Sequence, residues 1–296
     1  MVRSLWSAAS GMNAQQVNLD TIANNLANVN TVGFKTTVNE FKSLLYQNIQ
    51  TRTTSANGDT KPVGAQVGLG VRNASMISIF KQGAANATES DTAFCIEGEG
   101  FFAVRGNDAQ TYYTRNGDFT WTLGNNNTLI LTTTEGLPVL STTGAQITLP
   151  RDQYVTSRIT VTADGTVCYP DENNVPQPMG FAIGLYQFNN PAGLNKEDST
   201  IYGVTDASGP ALNEATNGAL QRSKLLQGYL EQSNVQVADE MVSMIITQRA
   251  YEMNSKAIQA SDEMMQQANN LRREFGRIRY GLFRNFRLFK YTDFAV

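Results

Sequence analysis

The sequence predicts an α+β fold, in which a discontinuous domain of paired N- and C-terminal coiled-coil helices brackets an inserted antiparallel β-rich domain. Two observations lead to this prediction. Apolar residues recur every seven positions near both ends of the 296-residue chain, which is typical of coiled-coil helices. Between these ends, short apolar runs alternate with turn signals about every 8 to 12 residues, which is typical of antiparallel sheets.

The first predicted helix covers about 3–28. Two rows of its heptad pattern form an a/d seam, and they are Leu5, Met12, Leu19 and Leu26, then Ala8, Gln15, Ile22 and Val29. Between residues 1 and 34 only Arg3 and Asp20 are charged, whereas a solvated helix normally displays Lys and Glu. We therefore expect other copies of the chain to surround this helix. A lone coiled-coil helix with an unusual surface is the alternative.

The second predicted helix runs from about 235 to 271 and contains neither Pro nor Gly. Its two rows are Val237, Met244, Tyr251, Ile258 and Met265, then Ala250, Ala257, Met264 and Leu271. The expected assembly interface therefore comprises Leu5, Met12, Leu19, Ile22, Leu26, Val237, Met241, Met244, Tyr251, Ile258 and Met265. Because each seam is narrow, we predict that both chain ends are largely disordered in the monomer and fold against neighbouring copies.

The β-rich middle is predicted from eight short runs that turn residues separate. These runs are 94–96, 101–104, 112–114, 119–121, 129–131, 147–149, 159–161 and 181–183. An antiparallel sandwich or barrel would accommodate strands with this spacing.

The predicted domain organisation has four parts. Residues 1–45 with 230–272 form the helical core domain, 46–66 an extended linker, 67–229 the β-rich domain, and 273–296 a basic aromatic tail. A turn after the first helix is predicted from Asn24, Asn25, Asn28, Gly33 and Phe34. Gly33 either needs a positive φ or belongs to a plain helix stop, and Phe34 anchors the turn on its own chain or on a neighbour.

Composition excludes several classes of function. A net charge of −3 argues against a general nucleic-acid binder. The absence of histidine removes His-based catalysis and His-based zinc sites. No apolar run approaches the roughly 18 residues of a membrane span, and no Sec signal peptide is visible. Two cysteines provide no disulfide framework; Cys95 and Cys168 are interpreted as buried thiols, with a single bridge as the alternative.

Three features bear on rival functions. Residues 98–103 fit a G-x-G-x-x-A pattern, but an aromatic run follows where a dinucleotide site needs a helix. Glu97 with Glu99, or Asp171 with Glu172, could serve a peptidoglycan hydrolase, although solvated turn charges explain them more simply. A secreted adhesin with terminal coiled coils would bring a signal peptide or an anchor, and neither is evident.

Three groups of segments resemble flagellar rod and hook proteins. They are 1–6 with 22–35, 96–104 with 113–119, and 228–235 with 247–258. The resemblance covers residues 1 to about 272. Segment 46–72 and the overall length favour a distal rod subunit, with a proximal rod or hook protein as the alternative.

The resemblance implies a layered subunit that polymerises into a hollow shaft. The paired helices would form an inner tube around the export channel, and the β-rich domain would form the outer layer. It further implies export through the flagellar type III apparatus without a cleaved signal peptide, a periplasmic location in the basal body, and torque transmission from motor to hook. Expected partners are further copies, proximal rod proteins, the hook protein, the P- and L-rings where present, and the export apparatus.

No catalytic residue, cofactor, metal, nucleic acid or small-molecule substrate is expected. Residues 274–296 extend past the expected end of the family pattern. The segment 272–296 holds seven Arg or Lys against two acids, which is consistent with a membrane or partner anchor or with an altered reading frame. We assign no function to it.

Overall fold

The computed structural model describes residues 2–50, 65–124, 127–171 and 174–288. One long helix lies near each end of the chain, and an antiparallel β-rich region lies between them in sequence. This confirms the predicted α+β class.

Helix α1 covers Val2–Ala27. Its end is closed by Asn28, whose backbone N–H and side-chain amide both donate to the backbone oxygen of Asn24, at 3.1 and 2.9 Å. Asn28 thereby satisfies a carbonyl that the end of the helix would otherwise leave unpaired. The predicted boundary near residue 28 is confirmed.

Helix α2 covers Val237–Leu288. Asp239 and Glu240 lie in its first turn, where a carboxylate interacts favourably with the helix dipole. The predicted end near 271 is wrong, because the helix continues through most of the segment that was interpreted as a tail. Residues 272–288 contain no proline, and the Arg and Leu residues among them are good helix formers. Residues 289–296 lie outside the described part.

The described residues contain 20 strands. The first ten are β1 (Thr37–Ser43), β2 (Tyr46–Gln50), β3 (Ala65–Gly68), β4 (Val71–Ser78), β5 (Ala85–Ala87), β6 (Phe94–Glu97), β7 (Phe101–Arg105), β8 (Thr111–Thr114), β9 (Phe119–Leu123) and β10 (Thr128–Thr133). The other ten are β11 (Thr148–Pro150), β12 (Thr160–Val161), β13 (Thr166–Pro170), β14 (Pro176–Ala182), β15 (Leu185–Gln187), β16 (Asn195–Lys196), β17 (Ile201–Gly203), β18 (Leu212–Asn213), β19 (Lys224–Gln227) and β20 (Tyr229–Glu231). Each of the eight predicted runs overlaps one of these strands.

The strands are distributed over several small sheets. The six-stranded sheet has the order β16-β17-β8-β7-β15-β18, and two three-stranded sheets have the orders β11-β10-β9 and β12-β13-β14. The two-stranded sheets are β1-β4, β2-β3, β19-β6 and β20-β5. Every pair with a described register is antiparallel.

The segment interpreted as a linker contains regular structure at both of its ends. Strand β2 pairs with β3 in an antiparallel ladder, from Tyr46 opposite Gly68 to Gln50 opposite Ala65. The sequence did not predict this pairing, because Gln and Asn residues interrupt the apolar alternation by which strands are mainly detected. Residues 51–64 lie outside the described part of the chain.

The chain divides into two compact units. The first combines Met1–Asp20, Asn39–Ser75 and Ser243–Val296, and the second combines Thr21–Val38 and Met76–Val242. The predicted four-part organisation remains a prediction.

The second unit contains two apolar clusters, and strand β7 contributes to both. Phe102 and Val104 pack into the larger cluster, whereas Phe101 and Ala103 pack into the smaller one. Alternate side chains point to opposite faces of a strand. A strand that is buried on both faces therefore reads as a continuous apolar run.

Candidate functional site

The turn after α1 depends on Gly33. This residue has a φ of +70°, and an added Cβ would lie 2.6 Å from the backbone nitrogen of Asn116. Its N–H donates to the backbone oxygen of Glu231 at 2.8 Å. Of the two interpretations that the sequence left open, the structure supports the positive φ.

Asn25 is a buried member of the predicted turn residues and lies in the second unit. Its side chain accepts the backbone N–H of Thr37 at 3.0 Å and donates to the Thr37 oxygen at 2.9 Å. It also donates to Glu240 Oε1 at 3.2 Å. The Asn25 amide thus makes the two hydrogen bonds with the Thr37 backbone that a neighbouring strand would make. It connects α1 to β1 and to the start of α2. Asn24 is exposed.

Phe34 is 1% exposed and is anchored on its own chain. The Lys196 ammonium lies 4.5 Å from the centre of the Phe34 ring, in a cation–π contact. Burial lowers the pKa of Lys196. Gly33 and Phe34 together hold the chain close to the β-rich region of the same unit.

Directly after this turn, a buried charge cluster joins Lys35, Arg115 and Glu231. Lys35 Nζ lies 2.5 Å from Glu231 Oε1, and Arg115 Nη1 lies 3.4 Å from Glu231 Oε2. The three side chains are 0–2% exposed. Buried charges require partners of opposite charge, because burying an unpaired ion costs on the order of several kcal/mol.

Backbone groups complete the pairing of the cluster. Lys35 Nζ also donates to the Lys81 oxygen at 2.8 Å, and Arg115 Nη2 donates to the Gly98 oxygen at 2.8 Å. The Gly83 N–H donates to Glu231 Oε1 at 2.9 Å. Two cations thus share one carboxylate, so the cluster carries a net positive charge.

Burial is the main influence on the pKa values of the two cations of the cluster. It lowers the pKa of Lys35 and of Arg115, while the Glu231 carboxylate opposes both shifts. Cys95 lies near the cluster, and burial raises its pKa to about 11. Cys95 and Cys168 are both buried free thiols, as interpreted from the sequence.

A second anchor lies next to the cluster and uses Asn234. Its side-chain oxygen accepts the N–H and the hydroxyl of Thr36, both at 2.8 Å. Its amide nitrogen donates to the backbone oxygens of Ile79 and Lys81, at 2.8 and 3.1 Å. The segment after α1 and the segment before α2 are therefore fixed to each other inside the second unit.

The predicted interface residues of α1 differ in burial. Ile22 is buried, whereas Leu5, Met12, Leu19 and Leu26 are only partly buried. In α2, Met244, Ile258 and Met265 are partly buried, and Val237, Met241 and Tyr251 are exposed. Whether these residues contact other copies stays a prediction.

Within the first unit, α2 has a second row of apolar residues that is more exposed. Ile246 and Met253 are 64% and 65% exposed, and Met264 and Leu271 follow at 50% and 57%. Ala250, Ala257 and Ala260 lie between them in the same row, which follows the alternating three- and four-residue steps of a heptad pattern. The sequence pattern includes part of this row as Ala250, Ala257, Met264 and Leu271. Only the structure shows that this row, here called the uncovered row, is the more exposed of the two rows of α2.

Of the acidic residues that could serve a peptidoglycan hydrolase, the structure describes Glu97, Glu99 and Asp171, and all three are exposed. Glu97 and Glu99 lie at the end of β6 and in the bend after it, and this bend leads into β7. Glu172 lies outside the described residues. Among those that are described, no group of three or more His, Cys, Asp or Glu is placed to hold a metal ion. The helices that the structure describes include none that is long and apolar enough to cross a membrane.

Three protein-family models match the chain. Residues 5–35 match "Flagella basal body rod protein", 95–169 match "Flagellar hook protein FlgE/F/G D1 domain", and 226–271 match "Flagellar basal body rod FlgEFG protein C-terminal". Lys35, Arg115 and Glu231 come one from each matched region, so the buried charge cluster joins all three. Fold and site together define the class of flagellar rod and hook proteins.

Relatives narrow this class further. The chain is 44% identical to the flagellar basal-body rod protein FlgG of Borreliella burgdorferi over 93% of its own length and 100% of the relative's. It is 38% identical to FlgG of Caulobacter vibrioides and 37% identical to FlgG of Bacillus subtilis, in each case over 92% of this chain and all of the relative. The chain belongs to the FlgG family and is a structural subunit of the flagellar basal-body rod. A proximal rod or hook protein is not favoured.

Proposed function

We propose that the chain is the distal rod subunit, which polymerises into a hollow shaft that surrounds the export channel and transmits torque from motor to hook. The relatives' name and the match over their entire length support a rod subunit. The additional β2-β3 ladder lies in the segment that favours the distal rod. The proposed layering assigns the terminal helices to the inner tube and the β-rich domain to the outer layer.

The proposal includes coiled-coil pairing of α1 with α2. Contacts between the two helices inside the first unit support it, among them the hydrogen bond from Asn18 Nδ2 to Thr247 Oγ1 at 2.9 Å. When α2 is paired with α1, its second apolar row remains exposed. Because large exposed apolar patches mark interaction sites, this row would contact other copies in the polymer. This uncovered row of α2 is the observation that carries the proposed function.

Partners and location follow from the same proposal. The shaft meets proximal rod proteins at one end and the hook protein at the other, and it passes through the P- and L-rings where these exist. The subunit reaches the periplasmic space through the flagellar export apparatus without loss of a signal peptide. The function requires no catalysis, cofactor, nucleic acid or small-molecule substrate.

Complementation tests the proposal directly. A strain that lacks its own distal rod gene receives this chain, and electron microscopy of its basal bodies shows whether the distal rod is restored. We expect Met253→Asp to abolish the rod, because a carboxylate would be buried between copies. Its free energy of unfolding should match that of the parent, since Met253 is exposed within the chain.

The matched control is Gln259→Asp. Gln259 is also exposed on α2, but the helical repeat places it on the side away from the Ile246–Leu271 row. It should leave the rods intact. If Met253→Asp restored rods as well as Gln259→Asp does, the uncovered row would have no role in assembly.

A further inference from the structure

The contact between α1 and α2 in the first unit includes three pairs of small or polar residues at intervals of seven residues, here called polar rungs. Ser4 Oγ lies 3.3 Å from Ser261 Oγ, and Asn18 Nδ2 donates to Thr247 Oγ1 at 2.9 Å. Between them, Gly11 lies against Asn254. Each step of seven residues forward along α1 is matched by a step of seven residues backward along α2, so the helices are antiparallel.

The two hydroxyls on α2 are directed by their own helix. Thr247 donates to the Ser243 oxygen and Ser261 donates to the Ala257 oxygen, both at 2.8 Å. Since a hydroxyl has one hydrogen and two lone pairs, each of these oxygens is left to accept from α1. Both residues are nearly buried, at 3% and 4% exposed. A partner that supplies no donor would leave a buried acceptor unpaired, which is costly.

Gly11 explains how the helices approach at the middle rung. A Cβ at this position would lie 2.9 Å from Asn254 Nδ2, so the Asn254 amide occupies the space that a side chain would fill. Glycine inside a helix lowers its stability by about 1 kcal/mol relative to alanine. In the second unit, the Asn25–Glu240 hydrogen bond of 3.2 Å occurs at the next interval of seven along both helices.

We propose that these polar rungs determine the register of α1 on α2 within one chain. The heptad pattern alone does not, because a shift by seven residues returns apolar residues of the same row to equivalent positions. The shift would, however, place Asn18 opposite Glu240 and Gly11 opposite Thr247, and it would remove the space for Asn254. The inference rests on the helix pairing of the proposed function and adds the residues that select one pairing.

Disulfide cross-linking in the full-length chain measures the register of α1 on α2. The in-register pair is Ser4→Cys with Ser261→Cys, and the pair for a one-heptad shift is Ser4→Cys with Asn254→Cys. Both are oxidised in isolated basal bodies and in the purified chain, and gel mobility separates links within a chain from links between chains. The chain without added cysteines gives the background from Cys95 and Cys168.

We expect the in-register link to exceed the shifted link by at least roughly tenfold, the factor that one lost buried hydrogen bond produces. Replacing the rung by Asn18→Leu with Thr247→Leu should reduce this ratio about tenfold, since apolar residues pair equally well in either register. Asn13→Leu with Gln248→Leu, which changes exposed polar residues of the same helices, should leave the ratio unchanged.

Three results would overturn the inference: equal amounts of both links in the parent, an unchanged ratio in the Asn18/Thr247 variant, or an in-register link only between chains. Failure of the parent to restore rods would instead refute the proposed function. Restored rods with equal amounts of both links would refute the inference and leave the proposed function standing, so the two failures are distinguishable.

Discussion

Replacing Glu231 by Gln should destabilise the second unit strongly. The substitution keeps the size of the side chain but removes the charge that Lys35 and Arg115 share. The new amide oxygen can accept from Lys35 or from the Gly83 N–H, but the amide NH2 then faces Arg115, which is itself a donor. Lys35 and Arg115 would remain buried without the carboxylate that they share.

The magnitude follows from the two distances. At an effective dielectric constant of about 20, a unit charge pair at the Lys35–Glu231 separation of 2.5 Å attracts by about 6 to 7 kcal/mol, and the Arg115–Glu231 pair at 3.4 Å by about 5 kcal/mol. Relaxation and water entry recover part of this energy. Removing one partner of a buried ion pair typically costs about 3 to 5 kcal/mol, and we expect a loss in the free energy of unfolding within that range.

Urea unfolding followed by tryptophan fluorescence measures the loss. Trp121 packs against the larger apolar cluster of the second unit, whereas Trp6 is 69% exposed. In a Trp6→Phe background the signal therefore reports the core. Glu97→Gln is the matched control, because the Glu97 carboxylate is exposed and its loss should change the free energy by less than about 0.5 kcal/mol.

A second substitution makes the test stricter. Lys35→Met should destabilise the parent, because it removes the closer partner of Glu231. In the Glu231→Gln background the same change should be neutral or stabilising, because it removes an uncompensated buried charge. A loss below about 1 kcal/mol for Glu231→Gln, or equal effects of Lys35→Met in both backgrounds, would refute the reasoning.

Three further predictions concern the turn, the helix seam and pH. Gly33→Ala should cost more than about 1 kcal/mol in unfolding free energy, because a positive φ and a backbone clash add, whereas Gly136→Ala, with a φ of +85° but nothing within 4 Å, should cost about 1 kcal/mol. Ile258→Asp should prevent rod assembly in complemented cells while Trp121 fluorescence still reports a folded core, and motility agar provides the readout. Burial raises the pKa of Cys95 to about 11 and of Tyr113 to about 12. Both groups stay neutral in the folded chain at a pH where the unfolded chain ionises them, so urea midpoints should fall above about pH 9. The lowered pKa values of Lys35 and Lys196 act in the opposite direction, whereas burial also raises the pKa values of Tyr186 and Tyr202, which adds to the loss of stability.

Local patterns predicted both helices and eight of the 20 strands that the structure describes. Helix α1 was predicted within a residue or two, because Asn28 and the heptad rows mark its extent. Strand β7 was predicted because its Phe101–Val104 run is apolar on both faces. Strands β2 and β3 were not, since Gln and Asn residues interrupt their apolar residues and their pairing joins segments on either side of residues 51–64.

The buried charge cluster could not be predicted from local patterns. Lys35, Arg115 and Glu231 are far apart in sequence, and each alone resembles a solvated surface charge. The one local signal was position: Lys35 follows the buried Phe34, and Arg115 follows the buried end of β8. Which of the two α2 rows is uncovered was likewise unpredictable, because both have the same heptad spacing.

The central claim is that the terminal helices build the rod and that the β-rich region alone does not. Its most direct test is electron cryomicroscopy of basal bodies from cells whose distal rod subunit is this chain reduced to residues 34–236, which retain the buried charge cluster. The account predicts a chain whose Trp121 fluorescence reports a folded core, together with basal bodies that lack the distal rod. A distal rod of normal length in these cells would contradict the account.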